Sequence, residues 1–540
     1  MESASHRMRK TFFTSGILTA NVCFATLKCR IMLWKFAGLG LYVSPMNLAI
    51  AFGKQAERLA DKTAIFWGDD QFTYGWVQIQ TVRLARILSE LGVAAGDRVG
   101  IWLRNRPEFV PTLFGIFEAG AAAVPINNFL KPIEVLFMLD DAGIEVLITE
   151  DAMAEGASQL RAARPKLKIW TVEKMLDMEA ETAKEAVLQC NRSEKDLAVL
   201  IYTSGTTGKP KGAMLTHGNL LHNVHSCHQM LETIEQDRFV LALPMFHSFM
   251  LTVCILTPLL AGASIVLIRS LHPPKNLVAE IARHRATILP AVPSFFRMMA
   301  QLDFPRDLPL RACISGGAAL PVEILREFNL RLPYVLREGY GLSETSPVAS
   351  LNPLHGPWKE GSIGLPVPDV ELSVQNDAGE ILPPGEIGEI CVRGGNVMAG
   401  YWNQPEATAQ VMRNGWLLTG DVGYCDSDGF FYITDRKKDM LIVNGINVYP
   451  REIEEIIYQF PGIKESAVVG VPDARRGEHA VAFVSLNDGA SLDERALLHF
   501  VRERVADYKV PRKIIVLPSL PRNATGKILK TELRKLAQTT

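Results

Sequence analysis

A run of eleven residues, Tyr202-Thr-Ser-Gly-Thr-Thr-Gly-Lys-Pro-Lys-Gly212, constrains this chain more than any other feature. It holds four Ser or Thr hydroxyls, three glycines and two lysines. The apolar residues 197–201 precede it and read as a buried strand. A strand opening into such a loop is how a backbone cradles phosphate. Glycines let N–H groups approach the anion, hydroxyls add donors, and lysine adds charge. The candidate phosphate-binding residues are Thr203, Ser204, Gly205, Thr206, Thr207, Gly208, Lys209, Pro210 and Lys211. The spacing is not that of a Walker A loop, because Gly205 is followed five places on by Pro210. A solvated linker would have no need of two lysines packed among the glycines.

With 540 residues the chain can build several cores, so more than one domain is expected. Its 57 Lys and Arg balance 58 Asp and Glu, which gives no basic surplus pointing to nucleic acid and no charged tail. Eight cysteines, at 23, 29, 190, 227, 254, 313, 391 and 425, include no Cys-x-x-Cys pair. That pattern suits reduced thiols in a cytoplasmic protein rather than a disulfide framework or a zinc site. His222, His225, Cys227 and His228 share one helical stretch without an interleaved carboxylate, and read as a polar helix face rather than a metal site.

Two segments imitate membrane spans. Residues 239–268 contain no Asp, Glu, Lys or Arg, but Pro244, Pro258 and Gly262 punctuate them. Strand, loop, helix and second strand explain them better than a span. At the start, Arg7, Arg9 and Lys10 precede an apolar stretch that mimics a secretory signal, and Lys28, Arg30 and Lys35 then interrupt it. Residues 1–45 are therefore expected to be an upstream extension with Met46 as the working initiator. A targeting peptide is the alternative.

From 46 to about 433 strands and helices alternate, which predicts α/β layers. Residues 74–91 and 107–119 carry helical spacing, and 99–103, 122–126, 146–149, 239–243, 264–268, 286–289 and 312–315 read as strands. After about 370, Gly and Pro punctuate short alternating strands (371–374, 388–393, 430–433), which suggests a small β-barrel. Beyond Asp435-Arg-Lys-Lys-Asp439, helices at 450–459 and 493–505 and strands at 466–471 and 480–485 predict a compact α+β unit.

Further blocks carry chemistry. In Gly339-Tyr340-Gly341-Leu342-Ser343-Glu344-Thr345, Tyr340 offers a face for stacking a base and Ser343 a hydroxyl. Glu344 offers the hard oxygen that Mg²⁺ requires. Gly316-Gly317-Ala318, after a predicted strand, lets a flat ring approach the backbone. Asp421, in Thr419-Gly420-Asp421, could clamp two hydroxyls, with Arg436 fifteen residues on.

These blocks, in this order from about Leu48 to Lys535, resemble the adenylate-forming enzymes: acyl-CoA synthetases, luciferase-like enzymes and peptide-synthetase adenylation domains. Their style is closest to bacterial long-chain fatty-acid–CoA ligases. The resemblance implies a large N-terminal AMP-binding domain (46–434) of two α/β subdomains plus a β-barrel, a hinge (435–439) and a mobile C-terminal α+β domain (440–540). It places adenine at Gly316, Gly317 and Ala318, with Glu338, Gly339, Tyr340, Gly341 and Ser343 also at the nucleotide. It places ribose at Asp421 and Arg436, Mg²⁺ on Glu344, the hinge at Lys438, and the CoA pantetheine arm past Gly445. Lys527 becomes the catalytic lysine of the first half-reaction, beside Lys209, Ser343 and Glu344. Ser343 stands where the family usually has threonine, and the hydroxyl is retained. His247 falls where relatives line the acyl pocket. Amino-acid-activating relatives usually carry an aspartate in that block, and no acid occurs between Val240 and Ile268.

The expected reaction joins a carboxylic acid to CoA with ATP and Mg²⁺, through an acyl-adenylate. Medium- or long-chain fatty acids are favoured, and hydroxycinnamate-like aromatic acids are the nearest alternative. Transfer to a carrier protein and a non-catalytic relative are the rivals. A long-chain substrate would bring peripheral membrane contact. The sequence shows no dedicated anchor and fixes no oligomeric state, although a dimer is compatible with it.

Overall fold

The structure, a computed structural model, describes residues 47–177, 192–203, 210–271, 273–473, 477–523 and 526–539. The extension read at 1–45 lies outside them. So do Ser204, Gly205, Thr206, Thr207, Gly208 and Lys209.

Short apolar runs become the central strands. Ala122–Pro125, Val146–Thr149, Ser264–Leu267, Ile288–Ala291 and Ala312–Ser315 are buried at every position. Continuous rather than alternating burial is what a parallel sheet covered on both faces requires. They belong to two sheets. The nine-stranded one runs Leu365–Pro366, Val348–Leu351, Leu336–Gly341, Ala312–Ser315, Ile288–Ala291, Arg238–Leu241, Ser264–Leu267, Thr63–Trp67, Asp70–Thr73. Its six inner strands are parallel. From Arg238–Leu241 the chain passes to Ser264–Leu267 on one side, then crosses to Ile288–Ala291 on the other. Such a reversal opens a crevice beyond the carboxyl ends of the strands.

The seven-stranded sheet runs Gly400–Tyr401, Lys211–Thr216, Leu197–Thr203, Ala122–Pro125, Arg98–Ile101, Val146–Thr149, Lys168–Thr171. Leu197–Thr203 returns antiparallel into Lys211–Thr216, with Thr203 opposite Lys211. The sequence reading did not include this second strand. The phosphate-loop stretch therefore joins a hairpin, and the helix His217–Met230 starts only after the returning strand. The membrane-like stretch folds as its punctuation predicts. Strand Arg238–Leu241 is followed by a π-helical segment Met250–Leu256, helix Thr257–Leu260 and strand Ser264–Leu267. Among the described residues no helix is long and apolar enough to cross a membrane.

The region expected as a small β-barrel is a five-stranded antiparallel sheet. Its long strand Trp416–Cys425 pairs with Gly388–Gly394, Met412–Arg413 and Phe431–Arg436. Val370–Gln375 adds to Gly388–Gly394. Beyond it, Leu441–Val443, Ile446–Val448, Ile463–Asp473, Gly477–Leu486 and Lys513–Val516 form a further sheet. Helices Pro450–Tyr458 and Glu494–Arg502 pack on it through Ile453, Ile457, Leu497 and Val501. The two long strands extend past the apolar stretches read in the sequence, because the backbone ladder continues through polar positions such as Glu465 opposite Ser485 and Asp473 opposite Gly477. Residues 48–540 form one compact unit.

Candidate active site

A cavity of about 1050 Å³ lies beyond the carboxyl ends of the nine-stranded sheet. Gly316 and Gly317 follow Ala312–Ser315, Gly339, Tyr340 and Gly341 end Leu336–Gly341, and His247 sits in the loop after Arg238–Leu241. Thr203, Pro210 and Lys211 reach it from the hairpin. Ser343, Glu344, Arg436, Lys438 and Lys527 complete the predicted residues that line it.

Asp421 sits behind that lining and organises two of its members. Its Oδ2 accepts from Tyr340 Oη at 2.6 Å and its Oδ1 from Arg436 Nε at 2.8 Å. Asp421 and Arg436 face each other across paired strands, so the ladder register sets the ion pair. Its backbone N–H donates to Thr419 Oγ1 at 3.0 Å. Burial, then the Asp421 charge, holds the Tyr340 hydroxyl protonated far above the usual phenol range. Asp421, foremost, raises the Arg436 guanidinium. Asp421 is only 3% exposed, so its carboxylate offers an edge rather than a free face to a sugar.

Local backbone explains the Gly339–Glu344 block. A Cβ on Gly341 would meet the Pro347 carbonyl oxygen at 1.9 Å, so only glycine fits. The single turn Ser343–Thr345 then presents two side chains. Ser343 Oγ lies 3.1 Å from Ser248 Oγ, and Glu344 Oε1 accepts from Tyr401 Oη at 2.9 Å. Lys211 Nζ stands 5.1 Å from the centre of the Tyr401 ring. Glu344 Oε2 has no hydrogen-bond partner among the described residues, so it is available as one hard ligand. That fits Mg²⁺, whose other positions phosphate and water fill. No cluster of three or more His, Cys, Asp or Glu that could hold a metal occurs among the described residues. The helix carrying His222, His225 and His228 instead turns Cys227 into the buried interior.

Lys527 is presented by a tight turn. Its N–H donates to Asn523 Oδ1 and Asn523 N–H donates to its carbonyl, both at 2.9 Å. Arg522 braces the turn through the Gly526 carbonyl and Glu465. Although Lys527 is open to water inside the cavity, protein surrounds most of it. Desolvation, then Arg436, brings its ammonium down to about 8, with Asp421 and Asp439 opposing and Lys438 assisting. Lys438 is lowered by the same causes. His247 is held down to about 4 by burial and by Lys527, so it is neutral. Its Nδ1 accepts from the Phe249 N–H at 3.2 Å, which puts the ring proton on Nε2.

Besides Asp421, three predicted residues among those described do not line the cavity. Ala318 lies just past it, and Gly445 occupies a hairpin turn at φ +79°. Glu338 is buried with Oε1 accepting from Leu320 N–H at 2.9 Å. Burial pushes its carboxyl up to about 7 against the pull of Arg451. Tyr401 and Ser248 escaped the sequence reading. Each acts through a residue distant in the chain, and a lone aromatic beside Gly400 gives no spacing signal.

Part of the lining is apolar, with Phe246, Phe249, Cys227, Met230, Leu231 and Val253. A Cβ on Gly316 would lie 3.1 Å from Phe249 Cζ, so the missing methyl lets the ring close over the strand end.

Residues 52–402 match the AMP-binding enzyme family, and residues 452–527 match the AMP-binding enzyme C-terminal domain. A long-chain-fatty-acid–CoA ligase of Bacillus subtilis is 37% identical over 519 residues, covering 88% of this chain and 92% of that one. A feruloyl-CoA synthase of an Amycolatopsis species is 38% identical over 489 residues, covering 89% and 97%. The crystal structure of ATP-bound MatB from Rhodopseudomonas palustris superposes with a TM-score of 0.85 at 33% identity, covering 91% and 99%.

Proposed function

The chain belongs to the AMP-binding enzyme family, and from that premise we propose that it activates a medium- or long-chain fatty acid with ATP and passes the acyl group to CoA. One observation carries the reading. A cation from the C-terminal region, Lys527, shares one cavity with Glu344, Tyr340, Arg436 and an apolar extension. The volume of about 1050 Å³ reaches the upper end for ligand sites, which suits a nucleotide and a tail together. The long-chain relative from Bacillus subtilis supports the fatty-acid assignment.

The carboxylate oxygen attacks the α-phosphorus, and the bond to pyrophosphate breaks. Lys527 offsets the charge of the incoming carboxylate and the charge that builds on the α-phosphate oxygens. Ser343 and Lys211 offer donors to phosphate oxygens, and Tyr340, locked by Asp421, stacks on the base. Neutral His247 donates through Nε2 toward the acyl end without repelling Lys527. Mg²⁺ held by Glu344 would neutralise phosphate charge. The CoA sulfur then attacks the acyl carbon and AMP leaves. Splitting the reaction avoids displacement at an unactivated carboxylate. In this reading residues 46–434 hold the nucleotide, 435–439 hinge at Lys438, and 440–540 turn between half-reactions, bringing Gly445 to the pantetheine arm. Lys209 and residues 204–208 would offer charge and donors to the phosphates.

The test is thioester and pyrophosphate formation with acids from acetate to oleate, plus benzoate, coumarate and ferulate, with CoA and a carrier protein offered side by side. Best turnover with long aliphatic acids and CoA upholds the proposal. The second reading, an aromatic-acid ligase, is favoured by the feruloyl-CoA relative and would show as preference for ferulate.

A further inference from the structure

Arg297 projects from helix Pro293–Gln301 and ends on the C-terminal sheet. Its Nη2 donates to the Ile463 carbonyl at 3.1 Å and to Asn487 Oδ1 at 3.2 Å, and its Nη1 donates to the Lys464 carbonyl. These acceptors sit at the open end of the hairpin formed by Ile463–Asp473 and Gly477–Leu486, where Ile463 pairs with Leu486. Among the described residues no carboxylate lies within ion-pair distance of Arg297, and its Nε is buried without a partner. A part-buried guanidinium held only by neutral oxygens gains less than one held by carboxylate. The contact can therefore form and release.

A second contact crosses the same junction. Glu455, on helix Pro450–Tyr458, accepts through Oε2 from the Val322 N–H at 3.3 Å. Val322 opens the ten-residue helix Val322–Arg331, whose Ncap is Pro321 and has no side-chain cap of its own. Glu455 thus supplies from the C-terminal region the cap that the helix lacks. The segment leading into that helix begins at Gly316 and Gly317 in the cavity wall, and Glu338 holds it at Leu320 N–H.

We infer that Arg297 and Glu455 form a two-point latch that holds the C-terminal region in the arrangement that puts Lys527 in the cavity. They are positioning residues for adenylate formation alone. The inference rests on the proposed two-step reaction. Neither residue lines the cavity, so each acts through Lys527.

The test uses the full chain as Arg297→Ala, Arg297→Lys and Glu455→Gln. Three quantities are read: acid-dependent pyrophosphate release, thioester formation from supplied acyl-adenylate and CoA, and hydrogen exchange in peptides spanning 318–326 and 463–469. Arg297→Ala should slow pyrophosphate release at least tenfold and leave the second step unchanged or faster. It should raise exchange in both peptides, including 318–326, whose interdomain partner is Glu455. Arg297→Lys, able to reach one carbonyl, should recover part of the loss, and Glu455→Gln should show a smaller loss of the same selectivity. Equal slowing of both steps, or raised exchange without selective slowing, overturns the latch. A wild-type chain that releases no pyrophosphate with any acid overturns the reaction on which the latch depends, and exchange unchanged in all variants overturns the latch itself.

Discussion

Tyr401 donates its hydroxyl proton to Glu344 Oε1 across 57 positions of sequence, and so fixes which oxygen of that carboxylate stays open to the cavity. Burial and the Glu344 charge keep the phenol protonated, so the bond persists across the working pH range. Tyr401→Phe should leave the fold intact and raise the Mg²⁺ concentration for half-maximal pyrophosphate release by about tenfold, in the range for loss of a partner that orients a metal ligand. Mg²⁺ titration at saturating ATP measures it. An unchanged Mg²⁺ requirement would remove Glu344 from that role.

Lys527 gives two linked expectations. Lys527→Ala should reduce adenylate formation by about 10²–10³-fold while sparing thioester formation from supplied adenylate. Because its ammonium lies near 8, below the usual lysine range, the charged form is present below that pH and is lost as pH rises through it. The first-step kcat/KM of the free enzyme should therefore fall above pH 8. Lys527→Arg should remove that limb even at reduced rate.

Glu338 should make stability pH-dependent in the opposite sense to a salt-bridged acid. Its carboxyl, ordinarily near 4.5, stands at about 7 in the fold, so the folded state keeps a proton that the unfolded chain has released. Stability should drop as pH rises from about 4.5 to 7, by at most about 3 kcal/mol. Glu338→Gln keeps an acceptor for Leu320 N–H and should flatten that slope. Urea midpoints at pH 5 and pH 8 decide it, with the variant gaining on the wild type only at pH 8.

Gly341→Ala should fail structurally. The added methyl would overlap the Pro347 carbonyl oxygen, and the turn carrying Ser343 and Glu344 would have to move. A loss of about 3 kcal/mol or more is expected, with adenylation lost in whatever folds. Thermal unfolding with a pyrophosphate assay reads both, and a normal melting temperature with full activity would contradict the geometry.

Much of this architecture is legible in the chain because its signals are local. Runs such as 146–149 and 312–315 are apolar up to a closing Thr or Ser and are strands with those bounds, buried at every position. Gly341 beside Tyr340 marks a backbone approach that no other residue allows. The strand Lys211–Thr216 was hidden because its Lys, Gly, Met and Thr carry no alternation, and its partner strand supplies the order. Glu338 illustrates the reverse case. Its place beside Gly339 and Tyr340 suggested the nucleotide site, yet its carboxyl is buried and accepts from Leu320 N–H, 18 positions away, a partner that no local pattern announces. Arg297 and Tyr401 gave no sequence signal, since their partners lie 57 to 190 positions away.

The contact between Gly316 and Phe249 acts as a thickness gauge. With hydrogen at 316, the phenyl ring rests against the strand end, and Gly316 and Phe249 both line the cavity. A methyl at 316 would push Phe249 by a few tenths of an ångström. Under the proposed reaction a slender polymethylene chain and a flat ring would make different demands on the space beside Phe249, so one hydrogen-for-methyl choice on the backbone would bear on which of them fits.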